Sequence, residues 1–349
     1  MNPPPAETDR LVSPGDFAHC LRWGLSRCEP TRAATILRQL AVAHSQQRPI
    51  VTAAVTRGDQ WRAVAIAIPQ PAAAATLILL ADQPLPADES PPTADSESAS
   101  GGALARVLRT LSQELRLLGV TFLQANAETP EQAHRLRSVG FRHIADLALM
   151  SLEAEDFAAA LHTSAVASRT VAARRIDPRC EWLSLEQPGG ELHPTFAPLL
   201  AETFVQTLDC PALADFRTPE EIARGYLESP TLDHAGSRLL RVDGDWAAVL
   251  VLSRHQLNAP QLGGFGDQGR VTAGSAAGFL ELSYMGVTCR WRGAGLGIRL
   301  VSAAVSQAQR SQVARIVLAA DLENGPAVGI YRRLGWQECL REGVWGRRL

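Results

Sequence analysis

Lysine is absent: all 34 basic side chains of the 349-residue chain are arginine, and they face 36 acidic ones for a formal net charge of −2. A general binder of nucleic acid or of an anionic membrane needs a basic excess, so neither partner is expected. Long apolar runs are missing too, and nothing approaches the roughly 20 residues of a membrane-spanning helix. Met1-Asn2-Pro3-Pro4-Pro5 lacks the basic start and apolar core of a secretory signal. The expectation is a cytoplasmic protein. Cysteine is sparse: Cys20, Cys28, Cys180, Cys210, Cys289 and Cys339 form no CxxC pair, and the eight histidines include no HExxH or HxH. Reduced thiols and no metal are expected.

What remains is ordinary globular composition, 46% hydrophobic and 20% charged. At roughly 150 residues per domain the length suggests two domains. The clearest composition break is the Pro/Ser/acid-rich stretch from Ala81 to Gly102, which reads as a polar loop. A weaker seam lies at Asp156 to Pro178, where an Ala-rich helical run ends. A third loop, Asn258 to Gly278, carries six glycines.

Between the seams, strand and helix patterns alternate. Ile50 to Val55 and Trp61 to Ile68 flank Arg57-Gly58-Asp59 as a hairpin, and Ala74 to Leu80 is a further strand. Leu104, Val107, Leu108, Leu111, Leu115 and Leu118 recur at helical spacing up to Gly119. Thr121 to Ala125 reads as a strand, and Thr129-Pro130 opens a helix. The second half repeats the pattern: a strand at Trp182 to Leu185, helices at Thr195 to Thr207 and from Thr218 to Leu227, and a hairpin about Asp243-Gly244-Asp245. Then come a strand from Phe279 to Val287, a helix from Leu296 to Gln309, a strand from Arg315 to Ala320, a helix from Pro326 to Leu334 and a last strand-like pair. A shift of 195 positions puts Gly140-Phe141 on Gly335-Trp336, Thr121 to Ala125 on Ile316 to Ala320, and Gly102 on Gly297. Two copies of one fold are expected: 1–155, a linker at 156–178, and 179–349.

The chemistry-bearing segment is Phe279 to Gly297. A strand ends, a turn with Gly293, Gly295 and Gly297 follows, and a helix begins at once. Converging backbone N–H groups and the positive end of a helix favour a phosphate or pyrophosphate. A Rossmann nucleotide site uses similar parts, with Asp321 closing the next strand where an acid would hold a ribose. Yet too little chain follows Gly297 for a doubly wound sheet, and the spacing is GxGxG rather than GxGxxG.

The continuation points elsewhere. R-x-x-G-x-G at Arg292, Gly295 and Gly297 is followed by Asn324, Ala327, Tyr331, Gly335 and Trp336 in the order N-x-x-A-x-x-x-Y-x-x-x-G-W. Together these resemble the GNAT superfamily of N-acetyltransferases, and the two-copy layout is similar to that of mycothiol synthases, which are active in the second half. The resemblance implies an α/β (α+β) fold of two tandem GNAT-like domains, each a mixed, largely antiparallel sheet flanked by helices. It implies acetyl-CoA as cosubstrate and transfer of its acetyl group to a primary amine, on a small molecule or a peptide, by direct attack. Arg292, Gly293, Ala294, Gly295, Leu296 and Gly297 would hold the pyrophosphate through their amides. Met285, Gly286 and Val287 would pair with the pantetheine arm between splayed strands, and Asn324 would contact the cofactor. Glu281 would be the base, Tyr331 the acid.

Each residue has a plainer reading. Glu281 would pair with an arginine, Tyr331 would be a core aromatic, Asn324 an N-cap, and Arg292 a solvated side chain. The alternative function is then a non-catalytic acyl-CoA-binding regulatory protein. Under the 195-residue shift Arg292 falls on Glu97, Gly295 on Ser100, Asn324 on Thr129 and Tyr331 on Leu136, so the first copy is expected to be degenerate, serving packing, enclosure or a homodimer. Thr203, Thr207, Asp209, Cys210, Asp215, Arg217 and Tyr226 lie where an acceptor would meet this fold. Asp209 could hold an ammonium group, although it reads more simply as a surface acid, and the loop from Asn258 to Gly278 reads as a lid over substrate or an insertion.

Overall fold

The computed structural model describes residues 6–81, 102–172, 179–187, 191–255 and 278–349. Most of the polar loop before Gly102, nearly all of the glycine-rich loop expected as a lid, and the end of the seam at 173–178 lie outside the described residues. The chain divides into two compact units, which are not contiguous in sequence. The first gathers the described residues up to His143 and Gly343–Leu349; the second runs over those from Ile144 to Glu342.

The first unit comprises β1 (Glu7–Leu11), α1 (Pro14–Leu25), α2 (Pro30–Ser45), β2 (Val51–Arg57), β3 (Gln60–Gln70), β4 (Ala74–Ala81), α3 (Ala103–Leu117), β5 (Phe122–Ala127) and α4 (Pro130–Ser138). Its strands lie in the order β1-β2-β3-β4-β5. All neighbours are antiparallel except β4 and β5. Period-two alternation sorts the side chains of β3. Ala63, Ala65 and Ala67 join the core under α3, whereas Val64, Ile66 and Ile68 join that under α1 and α2. Small residues on one face let α3 sit close. That helix buries Val107, Leu108, Leu111 and Leu115 completely, each worth roughly 1.5–3 kcal/mol relative to exposure. Gly119, at φ +76°, ends it as its glycine requires.

The second unit comprises β6 (Arg142–Glu153), α5 (Phe157–Ala172), β7 (Cys180–Ser184), α6 (Phe196–Thr203), α7 (Pro219–Leu227), β8 (Arg238–Val242), β9 (Asp245–His255), β10 (Phe279–Val287), α8 (Leu296–Arg310), β11 (Arg315–Asp321), α9 (Gly325–Arg333) and β12 (Gln337–Arg348). Its strands follow the order β6-β11-β10-β9-β8-β7, and only β10 and β11 run parallel. The architecture is the expected mixed, largely antiparallel sheet flanked by helices, present twice. The repeat extends to the caps: Thr129 caps α4 and Asn324 caps α9, 195 positions apart.

Differences from the sequence reading are instructive. The seam at 156–178 holds the helix α5, whose Phe157 and Ala160 enter the core of the second unit. The last strand-like pair is the single strand β12, and its Gly343–Arg348 pair with β5 in the first unit. Helix α6 stops at Thr203 rather than Thr207, because Gln206 (φ 52°) leaves the helical region.

Candidate active site

The parallel pair β10/β11 stays together for only three residue pairs: Phe279 with Arg315, Leu280 with Ile316, and Glu281 with Val317. Beyond them β10 continues to Val287 along β9, and β11 to Asp321 along β6, so their facing edges part. Leu280 and Leu282 point into the core shared with α8. The β9 register then slips between Leu282 and Tyr284, a bulge at Ser283. It puts Tyr284 in the core shared with α6 and α7, the face that Glu281 already takes by alternation. Val317, Ala319 and Asp321 share that face, opposite the buried Ile316, Leu318 and Ala320.

Gly286 stands on the same side, and only glycine fits. A Cβ there would lie 2.5 Å from Thr203 Oγ1 and 2.6 Å from the Tyr284 hydroxyl oxygen. Thr203 donates to the Leu200 carbonyl (2.7 Å), and the Tyr284 hydroxyl donates to Thr203 (2.7 Å). Met285 and Val287 turn to the opposite core.

After β10, Arg292 does something the sequence did not suggest. Its guanidinium donates to the carbonyls of Thr203 (2.9 Å), Val205 (2.8 Å), Gln206 (2.7 Å) and Val287 (3.1 Å). Three of these lie at the end of α6, where carbonyls lack helical partners and a cation is favoured. The side chain therefore ties α6 to the glycine turn. Within that turn the amides of Arg292 and Ala294 bond to Cys289 and Trp291. Those of Gly293, Gly295, Leu296 and Gly297 have no acceptor among the described residues. Gly293 (φ +73°) and Gly295 (φ +81°) hold a left-handed backbone, and α8 starts with no side-chain cap and no acid in its first turn. Gly297 lets α8 approach α9, since a Cβ would fall 2.9 Å from Ile330. Asn324 accepts from the Ala327 amide (3.3 Å) and so caps α9.

Glu281 has 40% of its side chain exposed and pairs with His255 Nε2 at 2.8 Å rather than with an arginine. His255 stacks on Phe279 at 4.6 Å. Tyr331 is buried against Trp336. Its hydroxyl has no hydrogen-bond partner among the described residues, and burial, aided by the charge of Asp209, pushes its pKa well above the tyrosine range.

The chain has three tyrosines: Tyr226 and Tyr284 belong to the core shared with α6 and α7, and Tyr331 to the core shared with α8. The Tyr226 ring lies 5.9 Å from that of Tyr284, its hydroxyl donating to the Ser283 carbonyl (3.3 Å). The charge of Asp209 acts on all three phenols. Asp209 is partly buried. Desolvation, then the neighbouring Asp321 carboxylate, push it up to about 6, against a partial offset from the Asp321 backbone. Asp321 is 2% exposed and accepts from the Cys210 (2.8 Å) and Glu323 (2.9 Å) amides. Of the other acceptor-side residues, Thr207 Oγ1 accepts from the Asp209 amide, whereas Arg217 donates to the Glu221 carbonyl.

Among its described residues the first unit repeats the geometry but not all of the side chains. Its β4 and β5 also part, after Leu77 and Ala125. The counterpart of Tyr331 is Leu136, buried in the core. Arg32 and Glu128 form an ion pair at 2.6 Å, mostly buried. Glu97 and Ser100 lie outside the described residues.

Residues 212–336 match the acetyltransferase (GNAT) family. Among solved structures, the glucosamine N-acetyltransferase region of a fungal multi-domain GH3 beta-N-acetylglucosaminidase has a similar fold, with a TM-score of 0.57 at 13% identity, covering 99% of this chain and 38% of that one. The tandem GNAT protein from the clavulanic acid biosynthesis pathway aligns with a TM-score of 0.44 at 14% identity over 98% of both chains. A GNAT protein from Sphaerobacter thermophilus aligns at 0.46 and 13% over 98% of this chain and 95% of its own. At 13% identity the first of these speaks to fold alone. No curated protein matches the chain.

Proposed function

From the match of residues 212–336 to the acetyltransferase (GNAT) family, we propose that the second unit transfers the acetyl group of acetyl-CoA to a primary amine by direct attack. The observation that carries this reading is the gap between β10 and β11, with unpaired amides at the start of α8 beyond it. Four free N–H groups on a left-handed glycine turn, at the positive end of a 15-residue helix, fit a pyrophosphate. Acetyl-CoA would supply the activated thioester. The amides of Gly293, Gly295, Leu296 and Gly297 would hold its phosphates. Met285 to Val287, whose β11-facing edge has no strand partner, would line its arm.

Attack needs a neutral amine. Glu281, oriented by His255, would take one proton from nitrogen through a water as the C–N bond forms. Tyr331 would give a proton to sulfur as the C–S bond breaks. Its raised pKa keeps the phenol protonated and thus able to donate. Arg292 would act by holding α6 against the turn rather than by touching phosphate.

Calorimetric titration of the full chain with acetyl-CoA tests the reading. One site is expected, and Gly295→Glu should abolish it, because a left-handed φ disfavours any side chain and a carboxylate repels phosphate. No binding to a folded chain, or two equal sites, would refute it.

A further inference from the structure

Two carboxylates sit together at the open end of the gap without a cation. Asp321 is bonded only to backbone amides, and neither it nor Asp209 pairs with an arginine or histidine among the described residues. Buried charges are ordinarily matched, and an unmatched acidic pair is costly unless something else brings the positive charge. No group of metal-ligating side chains occurs among the described residues. Resting on the acetyl-transfer reading, we propose that Asp209, backed by Asp321, receives the ammonium group of the acceptor, and that this acceptor is a primary amine on an apolar skeleton with no carboxylate beside its nitrogen.

Three independent observations agree. The Tyr331 hydroxyl, in a side chain 4% exposed, has no partner among the described residues and lies within reach of Asp209's charge. It is a polar group left for a ligand. Near it the rings of Phe204, Tyr284 and Tyr226 stack in a row, at 5.3 and 5.9 Å, and form an aromatic wall within reach of Asp209's charge. Finally, Val205 and Leu208, both on the loop that carries Asp209, are each 54% exposed. Two bare apolar side chains flanking a carboxylate suit an amine with a hydrocarbon body. A neighbouring substrate carboxylate would face Asp209 and Asp321 and be repelled.

The loop is built to hold this arrangement. Arg292 fastens the carbonyls of Val205 and Gln206, the Asp209 amide bonds to Thr207, and the Cys210 amide bonds to Asp321. Gln206 and Cys210 are kept at positive φ (52° and 45°) on either side.

The test is calorimetry on the full chain saturated with CoA, titrated with phenethylamine and separately with phenylalanine, alongside acetyl-CoA binding to the free chain. Phenethylamine should bind and phenylalanine should not. Asp209→Asn should weaken phenethylamine about 10- to 100-fold, the loss of a charge-assisted bond, with acetyl-CoA affinity unchanged. Asp209→Glu should recover part of it. Leu208→Ser, at an exposed position that cannot unfold the chain, should weaken phenethylamine about fivefold through lost apolar burial but leave methylamine unaffected. If wild-type protein binds acetyl-CoA yet not phenethylamine, or Asp209→Asn binds it undiminished, the assignment is overturned while the acetyl-transfer reading stands. If acetyl-CoA itself fails to bind, both fall.

Discussion

Asp209→Asn should stabilise the protein even as it empties the proposed acceptor site. Burial and the Asp321 carboxylate raise this carboxyl from 3.8 to about 6 in the folded chain. The sign follows from linkage. A group whose folded pKa lies above its unfolded value binds protons more tightly when folded, so its ionised form burdens the fold. That burden is absent below the unfolded value and complete above the folded one. That rise corresponds to roughly 3 kcal/mol at pH 8 and to about half as much at pH 5. Asparagine keeps the shape and an oxygen to face the Asp321 backbone but carries no charge. The one group whose charge acts on Asp209 is the Asp321 carboxylate, and no arginine or histidine pairs with Asp209 among the described residues, so no lost ion pair offsets the gain. In scanning calorimetry the transition of the second unit should rise by roughly 5–10 °C at pH 8, and by about half as much at pH 5. An increase of equal size at both pH values, or a decrease at the higher one, would refute the argument. Asp321→Asn is the contrasting variant. Asp321 is 2% exposed and each of its oxygens accepts a backbone amide, so one bond is lost and stability should fall.

Further outcomes follow from individual contacts. Arg292→Lys keeps the charge but satisfies fewer of the four carbonyls, so it should cost about 1–2 kcal/mol in a denaturant titration, at an exposed position. Acetyl-CoA affinity should stay within about twofold, whereas a guanidinium on phosphate would lose it in a salt-dependent way. Tyr331→Phe should lower kcat about 100-fold with acetyl-CoA affinity intact. Because the wild-type phenol titrates well above the tyrosine range, kcat should show no alkaline fall from this group up to about pH 10. Gly286→Ala places a methyl 2.5 Å from Thr203 Oγ1, and overpacking there should cost about 1–3 kcal/mol by thermal melt.

What was legible in the sequence was what local pattern encodes. Thr129 and Thr218 do cap helices, the latter with a full capping box to Glu221, because a cap is decided within four residues. The glycine turn was legible for the same reason, and Glu281 and Tyr331 are candidates that short motifs, each fixed by one strand or helix, propose. The rest depends on partners far along the chain. The assignment of Gly343–Arg348 to the first unit rests on pairing with β5, more than two hundred positions earlier, and nothing in Gln337 to Arg348 marks where one unit ends. Arg292 looked like a phosphate ligand or a solvated side chain until the end of α6 and the turn after it supplied three carbonyls, 86 to 89 positions away. Asp209 read as a surface acid because its own neighbourhood is that of a loop. Its character comes from Asp321, whose carboxylate binds the next residue's amide across a separation of 111. A lone carboxylate in a loop is ordinary, but two of them brought together by the fold with no cation beside them among the described residues are not. The chemistry of this site is set less by its motifs than by which loops the parted strands allow to meet.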